Sequence, residues 1–100
     1  MTAISKISEG QPATLLANPV YVTSHTRDQV EFEVLEADGA ALRGFVGVLQ
    51  LLALDGAVLW GRLLSLEPCT STAAGLAMLR DRQTLRGVLR VYSGEPASIQ

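Results

Sequence analysis

The sequence predicts a mainly β protein, a small, curled antiparallel β-barrel with one short helix near residues 71–82. Three observations predict it. Short apolar runs alternate with turn residues along the chain. The pair Asp55-Gly56 joins two apolar runs within residues 44–66, which is a strong signal for a tight hairpin and indicates a type I′ turn. Glycines also fall inside or at the ends of the predicted strands, where a small barrel needs bends.

The chain is long enough for one domain with a single core. Its 100 residues are 48% hydrophobic and 18% charged, and the low charge predicts that part of the surface is covered by another molecule. The net charge of −2 excludes nucleic-acid binding driven by the charge of the whole molecule. One cysteine, Cys69, excludes an internal disulfide and fits a reducing cytoplasm. Neither a signal peptide nor a transmembrane helix is predicted.

We expect an N-terminal arm over residues 1–18, the barrel over 19–93 and a polar tail over 94–100. Within the arm, the apolar residues 13–17 could add a strand. The predicted elements of the barrel are strands at 19–24 and 28–37, the hairpin within 44–66, a helix near 71–82 and a strand at 85–92.

Alternation of apolar and polar residues predicts the strand at 28–37 most clearly, since Val30, Phe32 and Val34 alternate with glutamine and glutamate. Glu31 and Glu33 are therefore expected to face solvent, and a turn over residues 36–39 to end the strand. Pro68 stops the second arm of the hairpin. A Thr70 or Ser71 cap and apolar residues at helical spacing then predict the helix. In the last strand, Leu85, Leu89 and Val91 define the apolar side.

The first arm of the hairpin is apolar on both faces, which a half-solvated antiparallel strand should not be. Phe45 begins the run, and Gln50 is its one polar break. The alternation of residues alone does not decide which face of this strand is inside, because a shift of the strand register by one residue exchanges the two faces. Either Leu49 and Leu51 or Val48 and Leu52 are therefore expected to face outward and to hold a partner or another copy of the chain.

Charge is unevenly placed along the sequence. Residues 28–55 contain six acids and one arginine, whereas residues 80–90 contain four arginines and one aspartate. Two solvated faces would explain this distribution. A head-to-tail contact between an acidic and a basic edge would explain it too, and such contacts can close into rings. The residues predicted for a partner or oligomer interface are Phe45, Val48, Leu49, Leu51, Leu52, Glu31, Glu33, Arg86 and Arg90.

No catalytic constellation is visible, and an enzyme is the least expected class. His25 is the only histidine, and Cys69 has no second cysteine to complete a metal site. No glycine-rich phosphate loop occurs, so no catalytic residue, cofactor or metal is predicted and the chain is expected not to bind ATP. Arg82 and Arg86 have the RxxxR spacing of the ligand-binding element of PilZ domains, which makes a phosphate-binding barrel an alternative.

Residues 20–67 resemble the HAS barrel, the N-terminal barrel of HerA-type DNA translocases that is shared with subunits of rotary ATP synthases. The resemblance rests on a first strand VYV, the alternating strand VEFEV at residues 30–34, the element Gly44-Phe45-Val46 and the hairpin DGAVLWGRLLSL. In the family a polar residue usually follows the glycine-hydrophobic-valine step, whereas this chain stays apolar to Leu54.

The resemblance implies that the chain is the assembly and docking domain of a hexameric, ATP-driven DNA translocase. This translocase would act with a NurA-type nuclease in DNA-end resection during double-strand-break repair. The tail at 94–100 would lead into the ATPase core, and DNA would be contacted only through the full complex. The alternatives are a stand-alone ligand-binding barrel of the PilZ type and a free-standing structural adaptor, such as a ring subunit without an ATPase.

Overall fold

The fold comes from a computed structural model, which describes residues 7–70 and 83–93. Six antiparallel strands close into a barrel in the order β1-β2-β3-β6-β5-β4, which confirms the predicted mainly β barrel. The elements are β1 Pro12–Leu15, β2 Asn18–His25, β3 Gln29–Leu35, α1 Glu36–Arg43, β4 Val48–Ala53, β5 Val58–Cys69 and β6 Thr84–Val91.

Alternation along each strand directs one set of side chains into a single apolar core. On β3, Val30, Phe32 and Val34 are fully buried, and from β6 Leu85 and Leu89 join them. The core is completed by Ile7, Ala13, Leu15, Val20, Val22, Leu42, Leu49, Leu51, Ala53 and Leu59.

The barrel begins earlier than residue 19. Strand β1 pairs with β2 on one side and with β4 on the other, so it is the strand that closes the barrel. The predicted arm boundary at residue 18 is therefore wrong, and the short apolar run in the arm is a strand of the barrel. Ile7 is buried in the core, and its carbonyl oxygen lies at hydrogen-bond distance from Nδ1 of His25.

A helix, rather than the predicted turn, follows β3. Helix α1 starts at Glu36, directly after the strand, and its last-turn residue Arg43 forms an ion pair of 2.9 Å with Glu36. Gly39 favours a turn in the sequence. In the structure, its lack of a side chain instead lets the helix pack closely against Leu85 and Val34. An added Cβ there would lie 2.7 Å from Leu85 Cδ1. The predicted helix near 71–82 lies outside the described residues.

The β4–β5 hairpin exists, but its turn is not type I′. Ala53 N donates to Ala57 O (2.9 Å) and Gly56 N donates to Ala53 O (3.0 Å), so the loop has three residues. Gly56 adopts a φ of 92°, as expected for a type I turn followed by a left-handed residue, and Asp55 has no positive φ. Asp55 Oδ1 accepts a hydrogen bond from Ala57 N at 2.9 Å, which favours the turn.

Replacing Gly56 with valine should destabilise the protein by roughly 1–3 kcal/mol. A Cβ at this position meets no atom within 4 Å, so the loss would come from a β-branched residue at positive φ alone. Chemical denaturation of Gly56→Val beside Gly56→Asn measures it, because asparagine tolerates the left-handed region. Equal stabilities of the two variants would contradict the assigned turn.

Candidate functional site

The outer face of the β4–β5 hairpin carries an exposed apolar surface. Leu49 and Leu51 point into the core, so the alternate residues of β4 point outward. Val46 and Leu54, just outside the strand, are 87% and 77% exposed. We define the apolar face as Leu16, Val46, Val48, Leu52, Leu54, Val58, Trp60 and Leu64.

Strand pairing makes this face continuous. Leu52 lies opposite Val58 and Gln50 lies opposite Trp60, so outward side chains of the two strands stand next to each other. Side chains directly opposite on antiparallel strands are about 5 Å apart and pack together. The apolar residues of the two strands therefore adjoin one another on one side of the hairpin, with Gln50 and Arg62 as the polar residues among them.

Two shallow grooves border the apolar face. One, of about 330 Å³, lies between β1 and β4 and is lined by Thr14, Leu16, Ala17, Gln50 and Leu52. The other, of about 370 Å³, lies beside the start of β4 and is lined by Arg43, Phe45, Val46 and residues 63–66. The groove between β1 and β4 is mainly apolar, whereas the groove beside β4 is mainly polar, and a partner's side chains could insert into either.

Leu16 reaches the apolar face from a strained turn. The β1–β2 hairpin has a two-residue loop in which Leu16 and Ala17 have φ values of 53° and 67°, a conformation that normally requires asparagine or glycine. Asn18 Nδ2 donates to Leu16 O at 3.0 Å and supports the turn from outside it. Such strain is concentrated at functional sites, and here it presents an exposed leucine beside Leu52.

The opposite side of the barrel wall is mostly polar. The outward residues of β2 and β3 include Thr23 and Glu31, and those of β6 include Arg86 and Arg90. Exposed leucine and valine side chains are therefore concentrated on the side of the barrel formed by β1, β4 and β5, where Gln50 and Arg62 are polar interruptions. A one-sided distribution of this kind indicates an interaction surface.

The apolar residues predicted for the interface separate into two groups. Val48 and Leu52 face outward, and Leu52 is 41% exposed. Leu49 and Leu51 are core residues with 3% and 0% exposure, so their assignment to an interface is wrong. Phe45 is half-buried, packs against the core and lines the second groove.

Strands β3 and β6, which carry described parts of the two charged segments, are neighbours within one molecule rather than opposed edges. Strand β3 pairs with β6, which places Glu33 opposite Arg86. Glu33 is fully buried, contrary to the prediction that it faces solvent, and its Oε2 lies 3.9 Å from Arg86 Nη2. Glu31 is half-buried opposite Val88, and Arg90 is exposed. Within the described residues, β3 and β6 are each paired on both sides, so neither offers a free edge for an edge-to-edge contact.

The other side chains singled out by chemistry are involved in structural contacts. His25 holds the N-terminal segment, and Cys69 Sγ lies 3.2 Å from Thr84 Oγ1. Within residues 7–70 and 83–93, no group of three His, Cys, Asp or Glu side chains is placed to hold a metal ion. No helix in these two segments is long and apolar enough to cross a membrane.

Comparison with known proteins does not place the chain in a family: no family matches it, and neither a curated protein nor a solved structure is similar to it. The geometry of the site is therefore the basis for assigning a function. Sequence reasoning missed Leu16, Val58, Trp60 and Leu64, whereas Val46 and Leu54 lie within the first arm of the hairpin, whose outward residues are predicted to hold a partner. Alternation points to Val58, Trp60 and Leu64, because they have the parity of Leu52 about the hairpin turn.

Proposed function

We propose that this chain is an assembly and partner-docking β-barrel with no catalytic chemistry of its own, and that the apolar face is its docking surface. The observation that carries the proposal is the one-sided exposure of leucine and valine along the β4–β5 hairpin, beside the half-buried Trp60. Exposed apolar area of this extent is costly in water, and burying it against a partner releases about 25 cal/mol per Å².

The resemblance to the HAS barrel supports a more specific form of this proposal. The chain would be the barrel of a hexameric, ATP-driven DNA translocase that acts with a NurA-type nuclease in double-strand-break end resection. The apolar face would make the contact to the nuclease or to the neighbouring barrel. Charged edges would not make the ring contact, because β3 and β6 are adjacent strands of one closed wall.

A free-standing ring subunit or adaptor is the second candidate, since it would use the same surface without an ATPase. The gene sequence beyond residue 100 separates the two candidates, because a P-loop motif there would support the translocase. A PilZ-like phosphate site receives less support. Arg86 lies beside the buried carboxylate of Glu33, and Arg82 falls outside the described residues.

Replacing Leu52 and Leu54 together with glutamate should weaken partner binding at least tenfold and leave the fold intact. Leu54 is 77% and Leu52 41% exposed and neither belongs to the core, so little core packing is lost, while two charges would have to be desolvated in the contact. Binding is measured by pull-down of a co-encoded NurA-type nuclease and by sedimentation velocity of the chain alone.

The matched control is the double variant Ala40→Glu and Ala41→Glu, which adds the same charge at exposed positions of α1 that are not part of the apolar face. A thermal melt confirms that both double variants are folded. The docking proposal fails if the Leu52/Leu54 variant is folded and still binds the nuclease, or self-associates, as tightly as the control.

A further inference from the structure

Two arginines and two aromatic residues form a compact array on the outside of β5 and β6. Arg62 and Arg90 lie directly opposite each other. At the next outward position of the two strands, Tyr92 N donates a hydrogen bond to Trp60 O at 2.8 Å, so these two residues also lie opposite each other. Leu59, Gly61 and Leu89, which alternate with the array residues along the two strands, are buried. The four side chains of the array therefore point outward.

The paired arginines lack compensating acids. Both are exposed, and among residues 7–70 and 83–93 neither has a carboxylate within 4 Å, whereas Arg43 and Arg86 each do. Their other cross-strand neighbours are Val48 beside Arg62 and Gln29 beside Arg90. Like charges directly opposite on two strands destabilise a sheet. An anion bound between Arg62 and Arg90 would offset this repulsion, because both guanidinium groups could donate hydrogen bonds to it.

The aromatic residues restrict the class of anion. Trp60 and Tyr92 are half-buried and occupy the outward positions next to the arginines on the same two strands, since Tyr92 pairs with Trp60 as Arg90 pairs with Arg62. Phosphate and a planar apolar group side by side are the chemistry of a nucleotide.

We propose that this array, Trp60, Arg62, Arg90 and Tyr92, binds single-stranded nucleic acid. Phosphates would lie between the two arginines, and unpaired bases would stack on the tryptophan and tyrosine. A duplex keeps its bases stacked inside and could use only the arginines. A free mononucleotide needs a concave pocket, whereas this surface is the convex wall of a barrel.

The inference goes beyond the proposed docking function and is independent of it, because the array and the apolar face share only Trp60. Binding should be weak. The array offers two phosphate contacts, and the carboxylates of Asp28 and Glu31 belong to the neighbouring β2–β3 loop and β3. Dissociation constants of about 10–1,000 µM at low salt are expected for so few contacts.

Trp60 is the only tryptophan of the chain, so its fluorescence reports directly on the array. Titration of the chain with an oligothymidylate of about 15 nucleotides, a length that covers a typical binding site, should quench it. The double variant Arg62→Ala and Arg90→Ala should bind at least tenfold more weakly and show a smaller dependence on salt. Arg43→Ala, which removes an exposed arginine from α1, is the charge control and should bind like the unmodified chain.

Two further measurements separate stacking from simple charge attraction. Tyr92→Ala should weaken binding by roughly 5-fold or more while all arginines remain. A duplex of the same length and inorganic polyphosphate should both compete poorly. The proposal is overturned if the oligonucleotide causes no quenching up to millimolar concentration, if Arg43→Ala weakens binding as much as the array variant, or if polyphosphate competes as well as the oligonucleotide. The Arg62/Arg90 double variant should melt no lower than the unmodified chain, because the removed arginines repel each other. A thermal melt of Tyr92→Ala checks that this variant is folded at the temperature of the titration.

Discussion

Replacing Gly61 with alanine should lower the free energy of unfolding by about 3 kcal/mol, which is a large effect for a single added methyl group. Gly61 is buried in β5 opposite Val91, and a Cβ there would lie 2.3 Å from the backbone oxygen of Arg90 and 2.7 Å from Cγ of Leu89. The backbone oxygen cannot rotate away as a side chain can. The β5–β6 pairing would therefore have to open locally to admit the methyl group.

The matched control for this change is Gly44→Ala. Gly44 ends helix α1 with a φ of −99°, and a Cβ there meets no atom within 4 Å. Alanine fits this conformation and restricts the unfolded chain, so the control should change stability by less than about 1 kcal/mol in either direction. Urea denaturation of both variants measures the difference. Equal effects at the two glycines would mean that β5 and β6 do not approach as closely as the structure has them.

Local pattern was sufficient to predict the barrel and several of its strands. The alternation of Val30, Phe32 and Val34 identifies the inward face of β3 without help from the rest of the chain. Strand β4 could not be oriented in the same way, because its outer face is also apolar and a period of two fits either direction. Pairing with β1 and β5 decides the orientation, and this pairing is information from distant parts of the chain.

Helix α1 was missed because its sequence is short and has weak helical signals. Leu35, at the N-cap position, makes no side-chain capping bond, and Gly39 is a poor helix former. Helices of eight residues gain little from propensity and are stabilised by tertiary packing. Here Leu42 enters the core, and Gly39 allows close contact with Val34 and Leu85. Those contacts exist only once the barrel has formed.

Glu33 shows that the direction of a side chain on a strand does not determine its exposure to solvent. Alternation correctly places its side chain on the outer side of β3, since Phe32 and Val34 point inward. Its exposure depends on what stands beside it, and its cross-strand neighbours are Tyr21 on β2 and Arg86 on β6. Neither neighbour follows from the local sequence. The candidate docking surface was predicted in part for the same reason, since Val48 and Leu52 were recognised but could not be separated from the core residues Leu49 and Leu51.

Phe32 and Gly87 should show strong energetic coupling. Phe32 is fully buried on β3 and lies opposite Gly87 on β6, where an added Cβ would stand 2.2 Å from Cζ of the ring. Phe32→Ala should cost about 3–5 kcal/mol, because it removes a buried ring and leaves a cavity. Gly87→Ala should cost about 1–3 kcal/mol, because the ring must leave its position to admit the methyl group.

The double variant of Phe32→Ala and Gly87→Ala should be more stable than the sum of the two single effects by at least about 1 kcal/mol. Without the ring the new methyl group meets no obstacle, and it fills part of the cavity. Phe32→Ala combined with Gly44→Ala is the control pair and should be additive within about 0.5 kcal/mol, since Gly44 contacts no side chain at its Cβ position. Urea denaturation of the three single and two double variants measures both cycles. Additive losses for Phe32 and Gly87 would show that the ring does not lie over the glycine, and the pairing of β3 with β6 would then have to be reassigned.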